Sequence, residues 1–289
     1  MTSTATIAMP REKILRPANQ KALELTGRPY LSFSQITLMR ACPFKFAAHY
    51  VRHASPAFTP ASLIFGSAVH AAVETHFRAM LAGVTLGAGE LHQAYRVAWK
   101  GQVASNGDLQ IRYAKDQDES KLDDMGKRMI DAFLASPAAQ PAGTVLGIEE
   151  EFLITIDLAL PDILARVDLV YETPEAILVR DFKTSRSKWN PEKAVESADQ
   201  IILYGRMLRD LSRGMNKPVQ GEFVVLTKAK SPQVQVLDVP VTPEGIRRTQ
   251  ESIATTWQAV LAANWYPAPS PMNCSTCQYK SRCPVFSGA

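Results

Sequence analysis

Leu164-Ala-Arg-Val-Asp168-Leu-Val170 and Leu178-Val-Arg-Asp181-Phe-Lys183 are the two stretches that decide how this chain folds. Each is short, rich in Val and Leu, and Pro174 lies between them, so the pair reads as two antiparallel strands joined by a hairpin-length connection. The period-two geometry of a strand sends Asp181 and Lys183 to one side and Phe182 to the other. One face of the second strand is therefore charged while the other packs. An isolated Asp-x-Lys is also the pattern of an ordinary strand-end ion pair, and Asp168 has Arg166 nearby as an equally ordinary partner. Taken together, however, adjacent strands bring Asp168 and Asp181 to a common edge, where two carboxylates repel unless a divalent cation with oxygen ligands relieves them.

Working outward, strands are expected over 144–158, 164–172 and 176–184, then over 220–229 and 233–239. Helical patterns cover 63–81, 88–104, 118–135, 191–211 and 243–264. A further helix over 34–50 is capped by Ser34 and kinked or divided by Pro43, directly after Cys42. Helices, a meander of strands, then a helix and more strands give an α/β (α+β) class, a central mixed sheet flanked by helices. Residues 1–29 are polar and aperiodic and read as a mobile arm, with the fold starting near Tyr30. The remainder, 30–289, reads as one domain: a helical part at 30–140, a strand-rich core at 141–264, and a cysteine-bearing loop at 265–289.

The chain has 289 residues and is 46% hydrophobic, enough for a substantial core. Its net charge of +4 permits nucleic-acid binding without requiring it. No apolar stretch reaches the roughly 18 to 20 residues of a membrane span, and the first residues lack the uninterrupted apolar core of a signal peptide. A soluble, non-secreted, cytoplasmic protein is expected. No Gly-x-x-x-x-Gly-Lys-Ser/Thr occurs, which excludes a P-loop motor.

Further candidates lie around the strand pair. His70 shares a helix face with Gly66 and Glu74, at spacings of four, and Gly66 would let that face approach the sheet. Glu149, Glu150 and Glu151 precede Phe152, with alternation turning Glu149 and Glu151 one way and Glu150 the other. Gln200 and Tyr204 line one stripe of a helix, an amide beside a phenol, suited to gripping a phosphate or to packing half-buried. Lys183, Arg186 and Lys188, with Arg206, Arg209 and Arg213, would track a phosphate backbone or remain solvated charges. Cys274-x-x-Cys277 and Cys283 offer three thiolates on one loop, and Cys42 is the single remaining cysteine. Four thiolates suit zinc or an iron–sulfur cluster. Zinc fingers supply ligands as two close pairs, so the one-plus-three division favours the cluster.

In this order, Gly66/His70, Asp168, Asp181/Lys183 and Gln200/Tyr204, bracketed by Cys42 and the Cys274-Cys277-Cys283 loop, the chain resembles the PD-(D/E)XK nuclease superfamily. The likeness is to its RecB-like branch, which includes exonucleases of CRISPR adaptation and carries a C-terminal iron–sulfur staple. It covers about residues 31 to 285. It implies a restriction-endonuclease-like fold and a metal-dependent DNA exonuclease acting on single strands or ends, in recombination, repair, replication or CRISPR adaptation. It further implies that His70, Asp168, Asp181 and the Phe182 carbonyl hold Mg²⁺ or Mn²⁺, that Lys183 is the catalytic lysine, and that Gln200 and Tyr204 help place the strand. A 4Fe–4S cluster on Cys42, Cys274, Cys277 and Cys283 would be structural, and DNA with helicase or recombination/adaptation proteins would be the partners. Asp181 is the RecB-like form of the third motif, where many CRISPR-associated relatives carry Glu. The competing readings are a DNA-binding or assembly subunit that does not cleave, and a zinc-stabilised scaffold.

Overall fold

A computed structural model describes residues 15–211 and 217–287. In chain order the elements are α1 (Pro17–Thr26), β1 (Tyr30–Ser32), α2 (Phe33–Ala41), α3 (Pro43–Phe46), a π-helical turn (Ala47–Val51) and β2 (Thr59–Pro60). They continue with α4 (Ala61–Leu81), α5 (Ala88–Ser105), β3 (Ile111–Arg112), α6 (Glu119–Leu134), β4 (Thr144–Ile154), β5 (Asp162–Glu172) and β6 (Ile177–Ser185). The last are α7 (Pro191–Glu196), α8 (Asp199–Leu211), β7 (Val219–Thr227), β8 (Val234–Val239), α9 (Pro243–Leu261) and α10 (Pro271–Ser275). No helix among the described residues is long and apolar enough to cross a membrane.

Six strands form one mixed sheet in the order β1-β5-β6-β7-β8, with β4 on the other edge of β5. β4, β5 and β6 run antiparallel, and β6 and β7 run parallel through a crossover carrying α7 and α8. One face packs on α4, α5 and α6 through Phe65, Phe77, Phe133, Phe182 and Val224. The opposite face packs on α8 through Val167, Val179, Tyr204, Ile201 and Phe223. α8 sits tight against β7: a Cβ at Gly221 would lie 2.0 Å from Ile201 Cγ2. The expected mixed sheet with helices on both faces is the observed one.

β5 has an unusual edge. Its first residues pair with β1 (Tyr30↔Asp162 to Ser32↔Leu164) and its last with β6 (Leu169↔Arg180 to Glu172↔Ile177). Between them, from Ala165 to Asp168, that edge has no strand partner. The two faces also exchange there. Ile148 and Leu169 pack on the α4 side, whereas Val167 packs on the α8 side together with Phe152. Residues two apart cannot lie on opposite faces of a regular strand, so the alternation is broken at the Glu149–Asp168 position. Glu149 carries the break, with φ of 52°. Left-handed backbone in a non-glycine residue costs about 1–2 kcal/mol.

Several local expectations shift. Residues 1–29 were expected to be an arm; residues 1–14 lie outside the described part, but α1 forms a helix closed by Gly27 in the left-handed region (φ 72°). Asn19 Nδ2 donates to Asp162 Oδ2 at 2.6 Å, and Ala22 is fully buried. The cap of α2 is Ser32, not Ser34: Ser32 and Gln35 exchange backbone and side-chain hydrogen bonds in a capping box. Pro43 does divide the helix, and Cys42 between the pieces is extended (φ −164°, ψ 100°). The helix expected over 191–211 is two, broken at Ser197. Asp199 then opens α8, where its carboxylate binds Arg40 at 2.8 Å and Thr249 Oγ1 at 3.1 Å.

A buried ion pair ties β6 to β7 beside the site. Arg180 Nε donates to Glu222 Oε1 at 2.6 Å, Tyr171 OH donates to the same oxygen at 2.6 Å, and Arg180 Nη1 reaches the Ala138 carbonyl. Both charged side chains are about 5% exposed or less. Removing one partner strands the other charge in the interior. Arg180→Met should therefore lower stability in urea unfolding by about 3–5 kcal/mol, while Arg180→Met/Glu222→Met should recover most of that loss.

Candidate active site

α4, β4, β5 and β6 converge where the β5 edge opens. Asp168 turns its carboxylate into the seam, and Oδ2 accepts the backbone N–H of Phe182 at 2.7 Å. His70, two turns into α4, brings Nδ1 to 3.6 Å from the same oxygen. In the β4–β5 register Ile148↔Leu169 and Glu150↔Val167 bracket Glu149 opposite Asp168. The break at Glu149 turns its carboxylate toward them: one ligand atom each of His70, Glu149 and Asp168 lies within 4.8 Å of the others.

Asp181 follows on β6 and is 2% exposed. Its Oδ2 lies 2.7 Å from Lys183 Nζ, an ion pair on the face opposite Phe182, as the strand period requires. That contact is close but poorly aligned, so Oδ2 is a buried carboxylate oxygen without a well-formed hydrogen bond. The sequence set was His70, Asp168 and Asp181; the set that shares the smallest space is His70, Glu149 and Asp168, with Asp181 drawn to Lys183. Glu149 was not singled out because strand alternation sorts it with Glu151. In the structure Glu151 pairs with Arg166 (2.8 Å to Nε), and Glu150 is exposed.

The charges explain the titration of the site. Burial, then the field of Asp168 and of Glu74, pushes Glu149 up to about 7. Burial and the neighbouring Asp181 likewise raise Asp168. Burial lowers His70 against the pull of Asp181, leaving a neutral ring with a nitrogen free to ligate at neutral pH. Burial acts to lower Lys183, but Asp181 and Asp168 outweigh it and its pKa is raised, so it stays an ammonium. Half-buried Glu149 and Asp168, which resist ionisation, with the Asp181 carboxylate and a neutral imidazole beside them, form the donor set of a divalent cation. These residues fit such an ion.

Tyr204 is 1% exposed, so it contacts no substrate from where it stands. Its hydroxyl accepts the Arg166 backbone N–H at 3.2 Å on the open stretch of β5 and also receives the Gln200 amide. Tyr204 thus satisfies an edge that no strand pairs and fixes Gln200. Gly66 faces the end of β6, but a Cβ there would meet Thr184 Oγ1 at 3.6 Å, ordinary contact. The close approach expected of this glycine does not require it against alanine.

The four cysteines are all free thiols and line one enclosure, Cys42 from the α2–α3 break and Cys274, Cys277 and Cys283 from the last loop. Phe44, Ala48 and Tyr279 pack beside them, and Tyr279 OH meets His49 Nδ1 at 2.7 Å. No three of the four sulfurs lie within 4.8 Å of one another. Of the basic residues, Arg213 lies outside the described residues, as does the side chain of Arg209.

No curated protein matches the chain. Among solved structures, a protein from Eubacterium rectale designated "Putative exonuclease" superposes with a TM-score of 0.50 at 10% identity, over 89% of this chain and 87% of that one. At that identity the likeness speaks to the fold alone. A second solved structure, SSO0001, has a TM-score of 0.35 at 14% identity over 80% of this chain and 88% of its own, and carries no argument. The model of the PD-(D/E)XK nuclease superfamily matches residues 30–284, which span the sheet, α4 and all four cysteines. The chain belongs to the PD-(D/E)XK nuclease superfamily.

Proposed function

We propose that this protein is a metal-dependent deoxyribonuclease of the RecB-like branch, an exonuclease that hydrolyses phosphodiester bonds on single strands or DNA ends, with α1 and residues 30–289 acting as one domain. The observation that carries the proposal is the gathering of His70, Glu149 and Asp168 within 4.8 Å, with the Asp181–Lys183 pair beside them. His70, Glu149, Asp168, Asp181 and the Phe182 carbonyl would hold the ion. Mg²⁺ or Mn²⁺ bound there supplies Lewis acidity toward the phosphate and lowers the pKa of a bound water. The imidazole favours Mn²⁺ over Mg²⁺.

In this reading the chain's own residues divide the remaining work. Lys183, held protonated by Asp181, cannot accept a proton at neutral pH. Its role is to orient the attacking water and to offset charge that develops on the phosphorane-like transition state. Gln200 presents its amide to the strand, and Tyr204 positions Gln200 from behind. The backbone N–H of Phe182 holds Asp168 at the seam. Arg166 and Glu151 pair at the rim.

The cysteines are proposed to hold a structural 4Fe–4S cluster that joins the α2–α3 break to the C-terminal loop. Four thiols divided one plus three around one enclosure support a cluster.

Three outcomes test this reading. Lys183→Ala and Asp181→Ala should each abolish Mn²⁺-dependent degradation of end-labelled DNA, at least about 100-fold for the loss of a transition-state charge, with unchanged circular dichroism. Retained activity in a clean preparation rejects the roles. A second outcome concerns pH. Glu149 is raised above its unfolded value, so its contribution to stability is present below about pH 4.5 and is lost as pH rises through about 7. The metal-free protein should therefore melt lower at pH 8 than at pH 5.5, Mn²⁺ should raise the midpoint mainly at pH 8, and Glu149→Gln should remove most of that Mn²⁺ response. Third, anaerobically purified protein should be brown, with broad visible absorption and iron bound. A colourless protein with stoichiometric zinc would replace the cluster by a zinc scaffold.

A further inference from the structure

Beyond the metal site, the carboxyl ends of the parallel strands β6 and β7 open into a second cavity, of about 650 Å³, bounded by the β2–β3 pair, the first turn of α4 and the cysteine loop. That volume lies within the roughly 300–1,000 Å³ of ligand sites. Arg112, Lys115, Arg186 and Lys228 face it, and no carboxylate lines it. Among the described residues none of these four has an acidic partner, in contrast to Lys183 and Arg180 a few residues away. Two of them are seated on rings instead: the Arg112 guanidinium lies 3.5 Å from the Phe58 ring centroid and Lys228 Nζ lies 4.8 Å from that of Phe65. A ring face steadies a cation without using its N–H donors. Burial and the nearby Arg186 also lower the pKa of Lys228, as expected of cations gathered without a counter-charge.

The cavity adjoins the metal site. Phe65 on its wall precedes Gly66, which faces Thr184, and His70 follows one turn later, about 6 Å along α4. Arg186 comes three residues after Lys183, and the Lys228 N–H donates to the Ser185 carbonyl at 2.6 Å, locking the two strand ends together. We infer that this cavity binds a backbone phosphate of single-stranded DNA adjacent to the bond that is cleaved, with Arg112, Arg186 and Lys228 as its ligands. The inference rests on the nuclease reading for the identity of the strand. Phosphate contacts of this kind fix register without reading sequence, so the cavity positions the strand for the metal site and leaves base identity unread.

Binding of a short fluorescein-labelled oligothymidylate, followed by anisotropy in EDTA over a range of KCl concentrations, tests it without cleavage. Arg112→Gln/Arg186→Gln/Lys228→Gln should weaken binding at least about tenfold and flatten the slope of log K against log salt by about 0.7, the share of one neutralised phosphate. Lys100→Gln/Arg128→Gln, on exposed turns of α5 and α6, should leave both unchanged. If the triple variant melts lower than wild type, Arg112→Gln/Arg186→Gln, both at exposed positions, should still weaken binding at least about threefold and flatten the slope by up to about 0.7. Wild-type affinity and slope in these folded variants would overturn the site. With Mn²⁺ the expected kinetic signature is a raised KM with kcat within about twofold. A wild-type protein that binds with the steep slope but never cleaves would sink the nuclease reading and leave the phosphate site standing.

Discussion

The structure turns on carboxylates packed where a strand pair loses its alternation. Glu149 and Asp168 stand opposite each other on β4 and β5, and Asp181 comes in from β6, so three acids gather at one half-buried seam. Their mutual repulsion costs the fold stability whenever they are ionised, and the left-handed backbone at Glu149 adds to that cost. Strain of this kind persists only where the surroundings over-determine it. Here α4 lies against one face and α8 against the other, and neither strand can straighten without exchanging its buried side chains for exposed ones.

The opening of β5 follows from the same geometry. A strand that pairs with β1 at its beginning and β6 at its end must leave a stretch of edge between them, and an unpaired buried N–H is expensive. The phenol of Tyr204 fills that need at Arg166, while the Phe182 N–H is answered by Asp168. Each group that repairs the opened edge therefore also shapes the site. Arg180 and Glu222 tie β6 to β7 one residue before Asp181, so the third acid is delivered from a strand that cannot slide.

Much of this was legible in the sequence because the signals were local. Pro174 and the Val- and Leu-rich runs on either side announced the hairpin, and period two put Asp181 with Lys183 and Phe182 in the core, as found. Pro43 announced the division of the helix at Cys42. Glu149 was hidden because a regular strand groups it with Glu151, and nothing in Glu149-Glu150-Glu151 signals a left-handed residue. The buried phenol of Tyr204 was equally unreadable, since its partner is a backbone N–H exposed only by the competition of β1 and β6 for one edge. α1 escaped notice because its short apolar stripe, centred on Ala22, is held as much by Asn19 and Arg16 on Asp162 as by periodicity.

The cysteine loop connects these levels. Ser275 and Thr276 lie between Cys274 and Cys277 in the chain, and both wall the basic cavity, while the cysteines on either side face the enclosure shared with Cys42. The loop has little core of its own: Tyr279 and Cys283 are its buried side chains, and α10 buries none. Its order then draws on the packing of Tyr279 and Cys283 against Phe44 and Ala48 and on the Tyr279–His49 and Gln278–Phe58 hydrogen bonds. The proposed cluster, by tying Cys42 to Cys274, Cys277 and Cys283, would also hold one wall of the proposed phosphate site. Loosening the loop would therefore act on that cavity before it acts on the acids at the seam, which the sheet and α4 hold.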